Sequence, residues 1–323
     1  NDFGTSNRIR AIIYDSFNNP AIDVSGPNNS LPLNQWAHFA LTFNSSGGKL
    51  YKNGLLIGED TEGTSTYAVT SDLFIGSDRN IVGRFADALI DDVKIYNYAR
   101  TPAQIAWDYN RGKPIGWWKF DEASSGSADG ATLLDSSGNG HTGTGSSTGS
   151  GFNYVKGKFG YALDFDGVDD FVEVVDDGSL EGLSQLTLSA WIKASGSGAR
   201  EIISHYGPYQ IQIDWQNKIV FTVKNNVDTS TTLTTTQTVP QNEWHHIVGT
   251  YDGSKMKVYL DGEFLAETSQ SGKTDTGYNV YIGNHYNTNY FEGLIDDVRI
   301  YGYALPESMI KEVYNNGRVR LGY

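Results

Sequence analysis

The clearest alternation of apolar and polar residues lies in two segments, GLIDDVRIYGYAL at 293–305 and ALIDDVKIYNYAR at 88–100. Isoleucine, valine and tyrosine alternate with polar residues in both, which predicts a β-strand in each. Two adjacent aspartates interrupt each pattern. Because side chains alternate between the two faces of a strand, Asp296 is predicted to share a face with Val298 and Ile300. The pattern therefore places a carboxylate among apolar side chains.

Short strands of this kind recur throughout 114–323, separated by turns rich in glycine, asparagine and serine. This spacing predicts an all-β fold, a two-sheet jelly roll. The sequence YDGSKMKVYLDGEFLAE at 251–267 predicts a hairpin whose Asp-Gly pair marks a tight turn. One clear helix is predicted, LPESMIKEVYNN at 305–316, closed by Gly317.

An internal repeat organises the chain. The aspartate pair recurs with a shift of 205 residues (Asp296 minus Asp91), and NQWAHFALTF at 34–43 matches NEWHHIVGTY at 242–251. The helix sequence recurs as well, since ARTPAQIAWDYNRG matches ALPESMIKEVYNNG. We therefore expect a short C-terminal helix in each repeat unit.

The two repeats are unequal, because the residues from Pro114 to Asn217 have no counterpart in the first unit. We predict a complete jelly-roll domain at 114–323 and a partial unit, the C-terminal half of the pattern, at 1–113. Half a β-sandwich exposes sheet edges and an apolar face. Either residues before Asn1 complete the first unit, or another chain or segment supplies the other half.

Composition supports the all-β prediction and narrows the range of partners. Of 323 residues, 38% are hydrophobic and 13% aromatic, with 37 glycines and eight prolines, as expected for many strands joined by turns. The net charge of −14 disfavours nucleic acid and acidic membranes and suits cation binding or simply a solvated surface. No run approaches the roughly 20 apolar residues of a membrane span, and the absence of cysteine excludes disulfides and thiolate metal sites.

An ordered set of motifs, WWKFDE, DSSGNGHTG, GYALDFDGVDDFVEV, LTLSAWIKA, NEWHHIVGTYDG, VYLDG and GLIDDVRIYGYAL, resembles the laminin-G-like, concanavalin A-like jelly rolls of secreted microbial proteins. The resemblance covers nearly all of 114–323 and the C-terminal half of the pattern in 1–113. It implies a β-sandwich of two antiparallel sheets, often with a structural calcium, often in carbohydrate-binding or adhesive modules of surface proteins. Fold alone does not imply function.

Calcium prefers six to eight oxygen ligands. Loops of the second unit that carry aspartate and glutamate come close to Asp296 and Asp297 if the first and last strands of that unit pair, as they do in the family that it resembles. A buried Asp296 is costly unless it is paired or metal-bound. The alternative is a hydrogen-bond cluster with loop amides and Trp118 or His141, without metal. The first unit has no counterpart of these acidic loops, so no complete calcium site is predicted at Asp91 and Asp92. The predicted calcium ligands are Asp121, Glu122, Asp135, Asn139, Asp166, Asp296 and Asp297.

The sequence contains no G-x-S-x-G elbow, P-loop, H-E-x-x-H or dinucleotide motif. The stretch DFDGVDD lacks the spacing and the closing glutamate of an EF-hand loop. Glycosidases need two carboxylates across a sugar, whereas the acidic pairs here lie in predicted structural loops. His246 matches His38 of the first unit and is predicted to be a packed strand histidine. The chain is therefore predicted not to be an enzyme.

Two polar, aromatic stretches are candidates for ligand binding, HYGPYQIQIDW at 205–215 and GNHYNTNYFEG at 283–293, since loops carry function. The alternative is that their tyrosines only cover the core. The aligned loop of the first unit, GSDRNIVGRF, has no aromatic residue before Phe85, so the two units should differ. The predicted ligand-binding residues are His205, Tyr206, Tyr209, Trp215, Asn284, His285, Tyr286 and Tyr290.

Together these observations favour a non-catalytic carbohydrate-binding or adhesion module, extracellular or at the cell surface and stabilised by calcium. Its expected partners are a glycan or another cell-surface ligand, with neighbouring copies or the rest of a larger surface protein. The alternative is a structural spacer or a subunit of a surface fibre, in which another chain or segment completes the first unit. An accessory domain of a larger hydrolase is also compatible with the sequence.

Overall fold

The structure is a computed structural model that divides the chain into two compact units, 1–112 and 113–323. The residues that the structure describes are 8–14, 20–61, 74–76, 86–110, 112–149, 151–284, 286 and 288–316.

The described residues of the first unit form two small antiparallel sheets and one helix. Their elements are β1 (Arg10–Tyr14), β2 (Pro20–Ser25), β3 (Phe39–Asn44), β4 (Gly47–Lys52), β5 (Leu55–Asp60) and α1 (Pro102–Asn110). β1 pairs with β2, and β3, β4 and β5 form a meander. Asn53 and Gly54 join β4 to β5 with φ angles of 51° and 80°, as a two-residue type I′ turn requires.

Residues 88–100 do not form a strand, so that prediction is wrong. Among the described residues of the first unit, no strand pairs with this segment, and the side chains of Leu89, Val93 and Ile95 are exposed. Strand formation depends on packing against neighbouring strands rather than on an intrinsic backbone preference. The apolar alternation of 88–100 is therefore not sufficient by itself.

The second unit consists of many short strands followed by a C-terminal helix. Its elements are β6 (Gly116–Trp118), β7 (Thr132–Leu133), β8 (Gly143–Ser146), β9 (Asn153–Lys156), β10 (Tyr161–Asp166), β11 (Phe171–Val174), β12 (Leu186–Ala194), β13 (Arg200–His205), β14 (Tyr209–Ile213), β15 (Lys218–Lys224), β16 (Ser230–Thr238), β17 (His245–Tyr251), β18 (Lys255–Leu260), β19 (Glu263–Ser269), β20 (Val280–Ile282), β21 (Glu292–Tyr301) and α2 (Glu307–Asn316).

These strands build two antiparallel eight-stranded sheets, which confirms the predicted jelly-roll sandwich. One sheet has the order β19-β18-β17-β12-β21-β10-β9, with β6 also pairing with β21, and the other has the order β16-β15-β14-β13-β20-β11-β8-β7. β21 thus has β12 along one edge, and β10 and then β6 along the other. The first and last strands of this unit pair with each other, as the family resemblance implied.

Alternate side chains of both sheets fill one apolar core. In β12, Leu188, Ala190 and Ile192 belong to that core, so Trp191 faces the opposite side of the strand. Trp191 is nevertheless buried, because Tyr314 of α2 stacks on its ring with centroids 5.6 Å apart. The C-terminal helix therefore covers part of the outer face of this sheet.

A β-bulge at the aspartate pair corrects the predicted face of Asp296. Ser189 pairs with Arg299 and Trp191 pairs with Asp296, so one residue of β12 lies opposite two residues of β21. Asp297 adopts a φ of 51°, which is a left-handed conformation that aspartate tolerates. The extra residue shifts the alternation, so that Ile295, Val298 and Ile300 all face the core. Asp296 faces the other side, not the side of Val298 and Ile300 as the strict alternation predicted.

Candidate functional site

Asp296 is buried on the outer face of β21, against the turn between β9 and β10. Its Oδ2 accepts the backbone N–H of Phe159 at 2.8 Å and that of Lys158, while Oδ1 has no donor among the described residues. Burial raises the pKa of Asp296 to about 8, because the ionised form loses hydration. Two backbone amides of the β9–β10 turn therefore bind Asp296, and calcium ligation by Asp296 stays a prediction. Trp118 donates to the carbonyl of His141 at 2.8 Å instead.

Asp297 is neutralised by a neighbouring cation. Its carboxylate forms an ion pair with Arg299 at 2.8 Å and accepts the indole N–H of Trp117 at 2.6 Å. The guanidinium of Arg299 lies 4.7 Å from the centroid of the Trp117 ring, within cation–π distance. Asp297 thus belongs to a polar cluster that fastens β6 to β21.

The other predicted calcium ligands have partners of their own. Asp121 and Glu122 each accept one backbone N–H at 2.8 Å. Asp135 accepts one backbone N–H from β6 and two from the loop that follows it, and the side chain of Asn139 donates to the carbonyl of Ile115 at 2.9 Å. These loop contacts are structural, and calcium ligation by the predicted residues stays a prediction.

Two groups of three acidic or histidine side chains converge among the described residues, with one potential ligand atom of each within 4.8 Å of the others. The first group is Asp176, Glu181 and His205. Asp176 Oδ2 lies 2.8 Å from His205 Nε2, and Glu181 accepts the N–H of Gly277 at 2.7 Å. Both carboxylates of this group therefore already have donors.

The second group is Asp166, Asp169 and Asp170, of which only Asp166 was predicted to be a metal ligand. Asp170 is fully buried. Its Oδ2 accepts the N–H of Asp166 at 2.8 Å, while its Oδ1 has no donor among the described residues. Burial raises the pKa of Asp170 to about 6.

A cluster of aromatic rings lies on the outer side of the other sheet. Phe171 of β11 and Tyr281 of β20 lie next to each other, with centroids 6.1 Å apart. Tyr286 lies 6.1 Å from Tyr281 and stacks on Tyr206 at 4.7 Å, and Tyr206 lies 5.6 Å from Tyr278. The side chains of Tyr278 and Tyr286 are 69% and 52% exposed. We call these five residues the aromatic patch.

A carboxylate and an amide lie beside the aromatic patch. Glu173 of β11 accepts the hydroxyl of Tyr281 at 3.1 Å and the side-chain N–H of Asn279 at 2.7 Å. Burial, with the charge of Glu173, raises the pKa of Tyr281 to about 12, so this hydroxyl keeps its proton at neutral pH. The patch thus combines exposed ring faces with hydrogen-bonding groups.

The structure corrects two of the predicted ligand-binding residues. Tyr209 is buried in the core, where its hydroxyl donates to the carbonyl of Leu180 at 2.8 Å. His205 is also buried. His205 ends β13, in which every residue is buried, and Tyr209 begins the core-facing side of β14, so the sequence pattern failed at both positions. Trp215 is exposed, but it lies beyond the opposite end of β14 from Tyr206.

The other predicted ligand-binding residues divide between the patch and its surroundings. Tyr206 and Tyr286 come together from separate loops. Asn284 is fully buried, and neither of its amide atoms has a partner among the described residues, whereas Tyr290 is half-buried. His285 lies outside the described residues. Sequence reasoning missed Phe171, Glu173, Tyr278, Asn279 and Tyr281, although the alternation in 278–282 places Tyr281 opposite the apolar Val280 and Ile282.

The profile of one protein family, described as the concanavalin A-like lectin/glucanases superfamily (Laminin_G_3), matches residues 2–106 and 166–311. No curated protein sequence matches the chain. No helix among the described residues is long and apolar enough to cross a membrane.

Several solved structures share the fold at low sequence identity. Domain 4 of AbnA, an extracellular GH43 arabinanase from Geobacillus stearothermophilus solved with arabinotriose, has a TM-score of 0.50 and 22% identity, covering 62% of this chain and 98% of that one. The binding domain of Paraclostridial Mosquitocidal Protein 1 has a TM-score of 0.51 and 16% identity, covering 64% and 53%. The binding domain of botulinum neurotoxin serotype G has a TM-score of 0.50 and 14% identity, covering 63% and 51%. The chain thus spans about half the length of the toxin domains that it matches.

Proposed function

The chain belongs to the concanavalin A-like lectin and glucanase superfamily, and on that premise we propose that it is a non-catalytic module whose second unit binds carbohydrate at the aromatic patch. The observation that carries the proposal is the stack of the exposed Tyr286 on the half-buried Tyr206, 4.7 Å between centroids, with the exposed Tyr278 beside it. Clustered exposed rings are uncommon on a protein surface without a ligand. A sugar ring can lay its C–H face on tyrosine while its hydroxyls reach neighbouring polar groups.

The charge of the patch favours a neutral oligosaccharide. Glu173 supplies a hydrogen-bond acceptor beside the rings, and the chain carries a net charge of −14, which repels sulfated or carboxylated glycans. The arabinanase domain of the same fold was solved with arabinotriose, a neutral sugar. A neutral plant-type or microbial oligosaccharide is therefore the ligand class that we propose.

The proposal includes an extracellular or cell-surface location, an adhesive role in a larger protein and a stabilising calcium ion. It assigns no reaction to this chain, because the two groups of converging acidic side chains lie in loops or are fixed by hydrogen bonds rather than facing each other across an open cleft.

Binding can be tested by isothermal titration of the full chain with neutral oligosaccharides, beginning with arabinotriose, and with a glycan array for wider coverage. Tyr286→Ala and Tyr278→Ala should each weaken binding about tenfold or more, as the loss of a central aromatic contact does in other interfaces. Trp215→Ala is the matched control, because it removes an equally exposed ring at the far end of β14.

Equal weakening by Trp215→Ala would contradict the assignment to the aromatic patch, and the absence of any bound glycan would contradict the function. Circular dichroism of each variant separates loss of binding from loss of folding. Because the substituted tyrosines are exposed, their removal should leave the fold intact.

The first unit supports a second candidate function, as a subunit or spacer of a surface assembly. Leu89, Val93 and Ile95 are exposed in a segment whose sequence forms a central strand elsewhere in the chain. An exposed strand-like segment is a template for pairing with another polypeptide. Light scattering over a range of concentrations tests this role: Val93→Lys should abolish self-association, and a chain that stays monomeric at all concentrations would argue against pairing between copies.

A further inference from the structure

The first unit repeats the parts of the second unit that lie on either side of β12, but not β12 itself. In the second unit β12 pairs with β17 along one edge and with β21 along the other. In the first unit β3 corresponds to β17, with a shift of 208 residues (His246 minus His38), and 88–100 corresponds to 293–305. Residues 186–194, which form β12, belong to the stretch that has no counterpart. The chain therefore contains the two neighbours of β12 twice, and β12 once.

The hairpin that begins at this histidine is built alike in both units. The backbone N–H of His38 donates to Asn53 Oδ1 at 2.9 Å, and that of His246 donates to Asp261 Oδ1 at 2.8 Å. The reciprocal bond, from the backbone N–H of Asn53 or Asp261 to the carbonyl of the histidine, is 2.8 Å in both units. The strand edge that β12 meets in the second unit is therefore also formed in the first.

The helix of the first unit contacts this hairpin as its counterpart does. Between ring centroids, Tyr109 of α1 lies 6.1 Å from His38. Tyr314 of α2 lies 6.2 Å from His246. In the second unit Trp191 of β12 joins the pair, stacking on the histidine at 5.1 Å and on the tyrosine at 5.6 Å. The first unit thus holds two members of a three-ring cluster whose third member comes from β12.

The segment 88–100 lies near β3 without pairing with it. The charges of Asp92 and Lys94 act on His38, as the charge of the residue corresponding to Lys94 acts on His246. Among the described residues, however, β3 has no strand on the edge away from β4, and 88–100 has none on either edge. His38 is accordingly half-buried, whereas His246 is buried. This is the relation that β17 and β21 would have without β12.

We propose that the first unit accepts a β-strand of another polypeptide between β3 and 88–100, in the position that β12 occupies in the second unit. The backbones of both neighbours would supply donors and acceptors along the two edges of that strand, which is a form of β-augmentation. The proposal rests on the second candidate function, assembly through the first unit, and names the site and the kind of partner for it.

The second unit shows what the accepted strand should contain. On the outer face of β12, Ser189 Oγ lies 2.8 Å from His246 Nε2, and Trp191 completes the ring cluster. The residues on either side of these two are apolar and belong to the core. The partner strand should therefore place a hydroxyl and, two residues later, an aromatic ring on one face, with apolar residues on the other. These two side chains would contact His38, and the ring would also contact Tyr109.

The donor is a different polypeptide rather than a second copy of this chain. The β12 strand of a second copy is already paired on both of its edges. Releasing it would open the sandwich of the second unit, since Leu188, Ala190 and Ile192 belong to its core. A separate chain with an unpaired strand of this pattern meets no such cost.

The test uses the full chain and a fluorophore-labelled synthetic peptide with the sequence of β12, LTLSAWIKA. Fluorescence anisotropy should rise to saturation as the chain is added, and a peptide of the same composition in scrambled order should not bind. Replacing the tryptophan of the peptide by alanine should weaken binding about tenfold or more, as the loss of a central aromatic contact does. Hydrogen exchange should slow at 39–44 and 88–100 when the peptide binds, because their amides become paired.

Lys94→Pro is the variant that should remove the site. Lys94 corresponds to Arg299, which pairs with Ser189 of β12, and proline has no N–H for such a pairing. Binding should weaken about tenfold or more. Because Lys94 is exposed and lies in no strand, the variant should fold, which circular dichroism checks. Tyr98→Pro is the matched control, since Tyr98 is exposed in the same segment but corresponds to Tyr303, beyond the end of β21.

Saturable binding with slower exchange at both segments, lost in Lys94→Pro and kept in Tyr98→Pro, supports the proposal. Equal binding by the two variants, binding of the scrambled peptide, slower exchange only in the second unit, or no binding at all would each overturn it. Light scattering of the chain without peptide reports association between copies separately. Failure of that association and failure of the strand site are therefore distinguishable.

Discussion

Residues 88–100 and 293–305 are identical at nine of thirteen positions, yet only the second segment forms a strand. The corresponding side chains differ in their exposure to solvent. Val93 and Ile95 are 53% and 73% exposed, whereas Val298 and Ile300 are completely buried. The shared valine and isoleucine therefore do not by themselves decide whether a segment forms a strand.

The neighbours of each segment account for the difference. β21 lies between β12 on one edge and β10 and β6 on the other, and these three strands come from the part of the second unit that has no counterpart in the first. In the described residues of the first unit, 88–100 has no such strands beside it. A central strand is thus specified by its partners as much as by its own alternation.

One feature is shared by both segments in spite of this difference. Asp92 and Asp297 have φ angles of 50° and 51°, so the second aspartate of the pair adopts the left-handed conformation in either setting. The bend that becomes the bulge of β21 is therefore a local property of the Asp-Asp sequence. In the second unit the residues that follow the bend, Val298 and Ile300, are buried in the core, whereas the corresponding Val93 and Ile95 of the first unit are exposed.

The largest expected difference between the two segments is in how much stability is lost when one isoleucine of each is replaced by alanine. Ile300→Ala should lower the free energy of unfolding of the second unit by about 2–5 kcal/mol, because it leaves a cavity in the core. Ile95→Ala should change the stability of the first unit by less than about 0.5 kcal/mol, because its side chain already contacts water. Urea unfolding measures both, with hydrogen exchange of peptides from each unit identifying the transition. Similar losses at both positions would mean that 88–100 is packed in solution.

A smaller contrast concerns the first aspartate of each pair. Since burial raises the pKa of Asp296 to about 8, the folded protein keeps a proton that the unfolded chain releases near pH 4. The wild-type chain therefore loses stability as pH rises from about 4 to about 8. Asp296→Asn avoids this loss, so its stability relative to wild type should be about 2 kcal/mol more favourable at pH 8 than at pH 6.

Asp91→Asn is the control for this pH dependence. Asp91 is exposed and accepts the N–H of Asp92 at 2.8 Å, a bond that asparagine also makes, so its stability should stay within about 0.5 kcal/mol of wild type at both pH values. Thermal or urea unfolding at the two pH values provides the measurement. If the stability of Asp296→Asn relative to wild type did not rise from pH 6 to pH 8, Asp296 would already be an anion at pH 6, as a calcium ligand would be.

The fold of the second unit could be predicted from the sequence because several separate patterns indicated the same fold. Alternating strands, turn residues and the helix sequence all indicated the same two-sheet sandwich, and the Asp-Gly pair at 261–262 is indeed the turn between β18 and β19. The sequence was not sufficient at the pair of Asp296 and Asp297. A bulge there moves every later side chain of the strand to the other face, although the alternation of apolar and polar residues in the sequence is unchanged. The predicted strand at 88–100 failed because the pattern of a segment says nothing of its partner strands.

The candidate sites show the same limit. Tyr206 and Tyr286 were found because aromatic residues in polar loops are conspicuous, but their neighbours Phe171 and Tyr281 come from strands that only the folded topology brings beside them. Likewise, Asp166 was recognised as a possible ligand, whereas its grouping with Asp169 and Asp170 depends on the path of one tight turn. Residue types can be read from sequence, but their convergence requires register and topology.

The smallest contrast should appear at the turns between β4 and β5 and between β18 and β19, where the two units are alike. Gly54 and Gly262 have φ angles of 80° and 82°, and an added Cβ would approach Ala106 of α1 at 3.1 Å and Tyr314 of α2 at 3.2 Å. Substitution of either glycine by alanine should cost about 1–2 kcal/mol, with a difference of less than about 0.5 kcal/mol between the units. Urea unfolding of the two variants tests this equality. A cost confined to Gly262→Ala would show that even this local turn depends on the completed sandwich around it.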